Sequence, residues 1–162
     1  MEIAIVSDTH MPPGPRRLPD ECVSRLRRAD LIIHAGDLVE LSVLELLQAY
    51  GPVVAVHGNV DDVEVRSRLP GSAVVDADGA KIAVVHDAGA ARGRLARLKK
   101  RFPDADAVVF GHSHIPLHEL APDGFQLFNP GSPTERRRAP RHTMGIARTH
   151  EGRLTFRLVA LG

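Results

Sequence analysis

Acids, a carboxamide and imidazoles recur in this sequence just past short apolar runs. Asp8-Thr9-His10 follows the first run, Gly36-Asp37 the second and Gly58-Asn59-Val60-Asp61 the third. His86-Asp87 follows the fourth run and Gly111-His112-Ser113-His114 the fifth. Carboxylate, carboxamide and imidazole donors together suit borderline divalent cations such as manganese, iron, nickel or zinc. Asp8 and His10 are separated by one residue, as are His112 and His114. In an extended loop such a pair points the same way, so both members can face one site. Glycines at 36, 58 and 111 permit sharp turns and close approach of the backbone. Taken singly, each of these acids and histidines reads as a turn or loop residue. Their registration at five run ends is not expected of such residues, and it points to a metal site.

The runs themselves are Ile3–Val6, Leu31–Ile33, Val53–Val56, Ile82–Val85 and Ala107–Phe110. Each is short, β-branched and apolar at consecutive positions, the pattern of strands covered on both faces. Loops at the carboxyl ends of such strands are where α/β sheets bind ligands. Helical patterns lie between the runs. Asp20 is placed to cap a helix with a stripe of Cys22, Val23 and Leu26. Leu41, Leu44, Leu47 and Tyr50 form a second stripe, closed by Gly51-Pro52. Residues 62–68 form a short third helix, and Leu95 and Leu98 mark a fourth that ends before Pro103. Asp78-Gly79, Asp123-Gly124 and Glu151-Gly152 each join two strand-like segments as hairpins. A parallel-leaning first half and a hairpin-rich second half imply two packed sheets with helices outside.

Composition bounds the function. A chain of 162 residues fits one domain, 1–162, with 43% hydrophobic and 25% charged residues. No apolar run is long enough to span a bilayer. The opening MEIAIVSD reads as a strand rather than a signal peptide, so a cytoplasmic location is expected. Cys22 is the only cysteine, which excludes an internal disulfide and a thiolate cluster; it reads as a packed thiol. The net charge of +1, one tyrosine and no tryptophan argue against nucleic acid as a partner. The basic run 92–101 reads as the solvated face of a helix.

The motif set Asp8-x-His10, Gly36-Asp37, Gly58-Asn59-x-Asp61, His86 and Gly111-His112-x-His114 resembles that of calcineurin-like metallophosphoesterases. The size and Asn129-Pro130-Gly131-Ser132 are similar to the small YfcE-like branch, which includes the retromer-subunit relatives. The resemblance runs from residue 3 to about residue 146. It implies an α/β fold, a four-layer α/β/β/α sandwich of two mixed sheets flanked by helices. It also implies two divalent cations, manganese first, with nickel, iron, cobalt or zinc admissible. By the resemblance, Asp8, His10 and His114 bind one cation. Asn59, His86 and His112 bind the other, and Asp37 bridges both. Asp37, Asn59 and His112 are expected to carry the chemistry.

The reaction so implied is hydrolysis of a small phosphodiester. A hydroxide shared by two cations ~3.5–4 Å apart attacks phosphorus in line. Larger family members carry a histidine where this chain has Val60, so the general acid is unassigned; His57 and Asp61 are near in sequence. Asp87 could orient His86 or bind a loop amide. His34 reads as structural, and His118, His142 and His150 as strand or surface histidines. The proline-rich loop 11–17 either walls the site or merely connects. Arg136, Arg137 or Arg138 either reaches substrate phosphate or lies in a solvated loop. The alternatives are a phosphomonoesterase and a non-catalytic scaffold of the retromer-subunit type. A homo-oligomer is compatible with the exposed hairpins.

Overall fold

The computed structural model describes residues 1–12 and 14–162; Pro13 of the proline-rich loop lies outside them. The elements in chain order are β1 (Glu2–Val6), α1 (Asp20–Arg28), β2 (Leu31–His34), α2 (Leu41–Gln48), β3 (Val53–Ala55) and α3 (Val63–Arg68). There follow β4 (Ser72–Ala77), β5 (Ala80–Val85), α4 (Arg94–Arg101), β6 (Ala107–Val109), β7 (Leu117–Leu120), β8 (Gln126–Asn129), β9 (His142–His150) and β10 (Arg153–Leu161).

Two five-stranded mixed sheets result, ordered β10-β9-β1-β2-β3 and β4-β5-β6-β8-β7. Three apolar clusters fill the gaps of a four-layer sandwich. Leu26, Leu44 and Leu47 of the helices meet Ala4, Val6 and Met144 on the outer face of the first sheet. Ile3, Ile5, Ile33, Ile82, Val84 and Phe128 pack between the sheets. Leu98 of α4 meets Ala83, Val108 and Leu127 on the outer face of the second sheet. Burial on both faces is why β1, β2, β5 and β6 read as unbroken apolar runs.

Register delivers the loops to one edge. In the first sheet β1, β2 and β3 are parallel, with Val6 opposite His34 and His34 opposite Ala55. In the second, β5, β6 and β8 are parallel, with Val84 opposite Val109 and Val109 opposite Phe128. The chain therefore leaves each sheet through loops that start level with one another.

The two packed sheets are as expected. They do not divide by halves, because β9 pairs antiparallel with β1 and brings β10 with it into the first sheet. The sequence expectation differs from the structure at the cap of α1, where Asp20 does not serve. Pro19 holds the N-cap position without a side-chain bond, and Asp20 and Glu21 occupy the first turn, where their charge meets the positive end of the helix dipole. Asp62 does cap α3, accepting from the Val65 amide at 2.9 Å. No helix among the described residues is long and apolar enough to cross a membrane.

Candidate metal centre

All seven candidate ligands meet where the two sheets' loops converge. Asp8, His10, Asp37 and Asn59 come from the first sheet's loops; His86, His112 and His114 come from the second's. Around fully buried Asp8, His114 Nε2 lies 3.5 Å and His10 Nε2 3.9 Å from Oδ1. Asn59 Oδ1 lies 3.0 Å from His86 Nε2 and 3.1 Å from His112 Nδ1. Between these groups stands Asp37, whose Oδ2 is 3.4 Å from His10 Nε2 and 3.2 Å from His86 Nε2.

Hydrogen bonds on the far side of two rings fix which nitrogen faces the site. His86 Nδ1 sits 2.7 Å from the Ala35 carbonyl, and His114 Nδ1 contacts the Glu135 carbonyl. A carbonyl only accepts, so these nitrogens carry the protons and each neutral ring turns a bare Nε2 inward. There the lone pairs meet carboxylate oxygens rather than donors. His10 Nε2 and His114 Nε2 are buried without any hydrogen-bond partner. Buried polar atoms are seldom left so. Acceptors facing acceptors in a buried cleft fit a cation, and Asp8, His10 and His114, or Asp8, Asp37 and His86, offer donor atoms close enough to share one.

Charge balance agrees. Burial raises the Asp8 carboxyl above its ordinary range; His86 and His114 oppose that rise, and Asp37 adds to it. Burial also pushes Asp37 upward, but hydrogen bonds from the His10 and His86 rings when those nitrogens carry a proton, together with the Val60 amide, outweigh it and hold Asp37 well below the usual carboxylate range. For His86, burial favours the neutral ring, yet Asp37 and Asp8 raise its pKa overall. His114 is lowered, chiefly by burial. Two carboxylates this close repel one another unless positive charge lies between them.

Five of the seven candidate ligands have left-handed backbone: Asp8 at φ 55°, His10 at 45°, Asp37 at 61°, His112 at 71° and His114 at 60°. Such strain costs about 1–2 kcal/mol per residue and clusters at functional sites. The Asp8/His10 and His112/His114 pairs are thus not extended, as alternation suggested. Left-handed turns aim Asp8 and His10 at one spot, whereas His112 joins Asn59 and His86, and His114 joins Asp8. Close packing also needs glycine beside these turns, at 36, 58 and 111. A Cβ on Gly36, itself at φ 96°, would lie 2.6 Å from His86 Nδ1, and one on Gly58 would overlap Asp37 Oδ1.

Other expectations resolve here. Asp87 does not orient His86; its Oδ1 accepts from the Gly89 amide at 2.8 Å, and its Oδ2 lies 3.9 Å from His112 Nε2. Asp61 is no proton donor. Its two oxygens accept from the amides of Asp37, Val39 and Gly58 at 3.1, 2.6 and 2.6 Å. His34 is structural, accepting from the Gly36 amide and donating to Thr9 Oγ1. Val60 is exposed. His57 lines an open cleft of about 320 Å³ beside Asn59, His86 and Asp87. Arg136, Arg137 and Arg138 are all exposed, with the Arg136 guanidinium on the Ala139 carbonyl. His118 lies on β7, and His142 and His150 lie on β9.

Three further residues brace these loops. Asn129 Nδ2 donates to the Gly111 carbonyl and Ser113 Oγ, and Ser132 Oγ donates to the Asp8 carbonyl. The third is Glu135, beside His10 and His114. Asn129 and Ser132 were visible as a motif; Glu135 carried no signal.

The calcineurin-like phosphoesterase superfamily domain matches residues 1–152 of this chain. The chain belongs to that superfamily. A protein named "Probable metallophosphoesterase" from Methanothermobacter thermautotrophicus is 33% identical over 137 residues, covering 83% of this chain and 78% of its own. A similarly named protein from Methanocaldococcus jannaschii is 36% identical, covering 83% and 69%. A single mutant of Vps29 from Entamoeba histolytica shares the fold at TM-score 0.80 over 100% of both chains, at 20% identity. This calcineurin-like chain is thus a metallophosphoesterase by family, with Asp and His groups able to bind metal.

Proposed function

We propose that the protein is a two-metal phosphodiesterase with a small phosphodiester as substrate. The observation that carries this reading is the position of Asp37, whose one oxygen faces both His10 and His86 within 3.4 Å. A single carboxylate shared by two donor groups suits a bridging ligand. On this reading Asp8, His10 and His114 hold one cation, and Asn59, His86 and His112 hold the other. The pair, with manganese expected first, supplies Lewis-acid stabilisation of the phosphoryl oxygens and lowers the pKa of water.

The residues divide the remaining work. Asp8 and His114 are fully buried and keep bulk water from one side. Asn59 and His112 are exposed, so substrate enters from their side, along the cleft past His57 and Asp87. Arg137 is charged and exposed and disfavours charge on His114, which supports a guanidinium meeting a phosphate oxygen from this loop. The site has no histidine at position 60 to pair with the second charge of a monoester dianion, which favours a singly charged diester. The net charge of +1 supports a small substrate over a nucleic acid.

The test is Asp37→Asn, with bound metal and hydrolysis of bis-p-nitrophenyl phosphate and its monoester analogue measured under Mn, Ni and Co. The expected outcome is loss of bound metal and a fall in diester hydrolysis on the order of 10²–10³. Full metal content with full activity would refute the bridging role. A wild-type protein inert toward both esters would favour an interaction scaffold.

A further inference from the structure

Glu135 reaches the centre in two ways, neither part of the metal-ligand motifs. Its backbone carbonyl accepts from His114 Nδ1. Its carboxylate Oε2 lies 3.5 Å from His10 Nδ1. The same oxygen is 3.5 Å from Arg16 Nη1, and that Arg16 nitrogen donates to the His10 carbonyl at 3.1 Å. The Glu135 amide is itself fixed on Ser132 Oγ at 2.8 Å, and the Ser132 hydroxyl is tied to the Asp8 carbonyl at 2.8 Å. One residue is therefore linked to all three members of the Asp8, His10 and His114 group.

We propose that Glu135, steadied by Arg16, is the positioning residue for this group: its carboxylate keeps the proton on His10 Nδ1 while its carbonyl does the same for His114. Both rings then present Nε2 toward Asp8. A carboxylate on the far nitrogen also makes an imidazole more basic and holds its plane. In the Asn59, His86 and His112 group no single residue serves both rings. Its His86 leans on the Ala35 carbonyl, whereas the far nitrogen of its His112 faces a different residue, the exposed Asp87, at 3.9 Å. The clamp thus acts on one half of the centre alone.

This inference rests on the two-metal reading, and one experiment separates the two. Metal-free wild type, Glu135→Ala, Glu135→Gln and Arg16→Ala are titrated with manganese, following the EPR signal of the free ion. The wild type is expected to bind two ions. Glu135→Ala should weaken one binding step by about 10–100-fold and leave the other unchanged. Glu135→Gln should recover part of the loss, because its carboxamide oxygen still accepts from Nδ1 without the charge. Arg16→Ala should weaken the same step less. Two unchanged steps in Glu135→Ala, or an equal loss in both, would overturn the clamp and spare the two-metal reading. A wild type that binds fewer than two ions would overturn both.

Discussion

Asp61 illustrates how much of a site is made by residues that never face it. Asp61 is 5% exposed and its carboxylate gathers the amides of Asp37, Val39 and Gly58, so it ties the loop after β2 to the loop after β3. Those loops carry Asp37 and Asn59. Hydrogen bonds to a charged acceptor contribute about 1.5–3 kcal/mol each, and a buried donor left unmet costs about 1–3 kcal/mol. In Asp61→Asn one side-chain oxygen becomes an NH₂ that must face an amide N–H. The variant should lose roughly 2–4 kcal/mol of stability in urea unfolding of the metal-free protein, and it should bind manganese more weakly. Unaltered unfolding would mean that the three amides find other partners and that Asp61 is not a brace.

At the scale of elements, strand ends do the positioning, and β2 provides a pH-dependent contribution. His34, its last residue, is fully buried. Burial, with the nearby His86 adding to it, pushes its pKa down to about 3 from 6.5. The Gly36 amide points a proton at Nδ1, so a charged ring would set donor against donor. Between pH 6.5 and 3 the unfolded chain takes up a proton that the fold refuses. Stability is therefore lost as pH falls through that window and is unaffected by this group above it. The His34 ring resonance should stay at its neutral position on acidification to pH 5; a midpoint near 6.5 would contradict the account. The strands and ligand-bearing loops were legible in the sequence, because residues covered on both faces leave an unbroken apolar run and the polar cluster after it stands out. What was not legible depends on partners distant in the chain. Asp61 looked like a third motif acid until three amides appeared around it. Glu135 carried no signal, because nothing local announces a neighbour 119 residues away such as Arg16. The left-handed turns at Asp8 and His112 were hidden for a related reason: tertiary packing, not local preference, holds those residues at positive φ.

The whole molecule enters because the centre straddles two sheets. His114 hangs from the second sheet, whereas Asp8 and His10 hang from the first, so the distance between sheets sets the distance between donors. Phe128 of β8 is fully buried in that gap, stacked on Phe156 with ring centroids 4.6 Å apart and pressed against Gly145 of β9. Leu98 is equally deep, but it lies between α4 and the outer face of the second sheet. Truncating either to alanine should cost a few kcal/mol, about 3–5 for the phenylalanine and 2–5 for the leucine. Only Phe128→Ala loosens the contact that sets the donor spacing. Both variants should therefore melt earlier without metal, yet only Phe128→Ala should lose manganese affinity by more than its residual unfolding explains. Thermal unfolding of the metal-free proteins, paired with metal titration well below each midpoint, separates the two effects. Equal affinities in the two variants would mean that each half of the centre is rigid within its own sheet, and that the packing between sheets stabilises the fold without tuning the site.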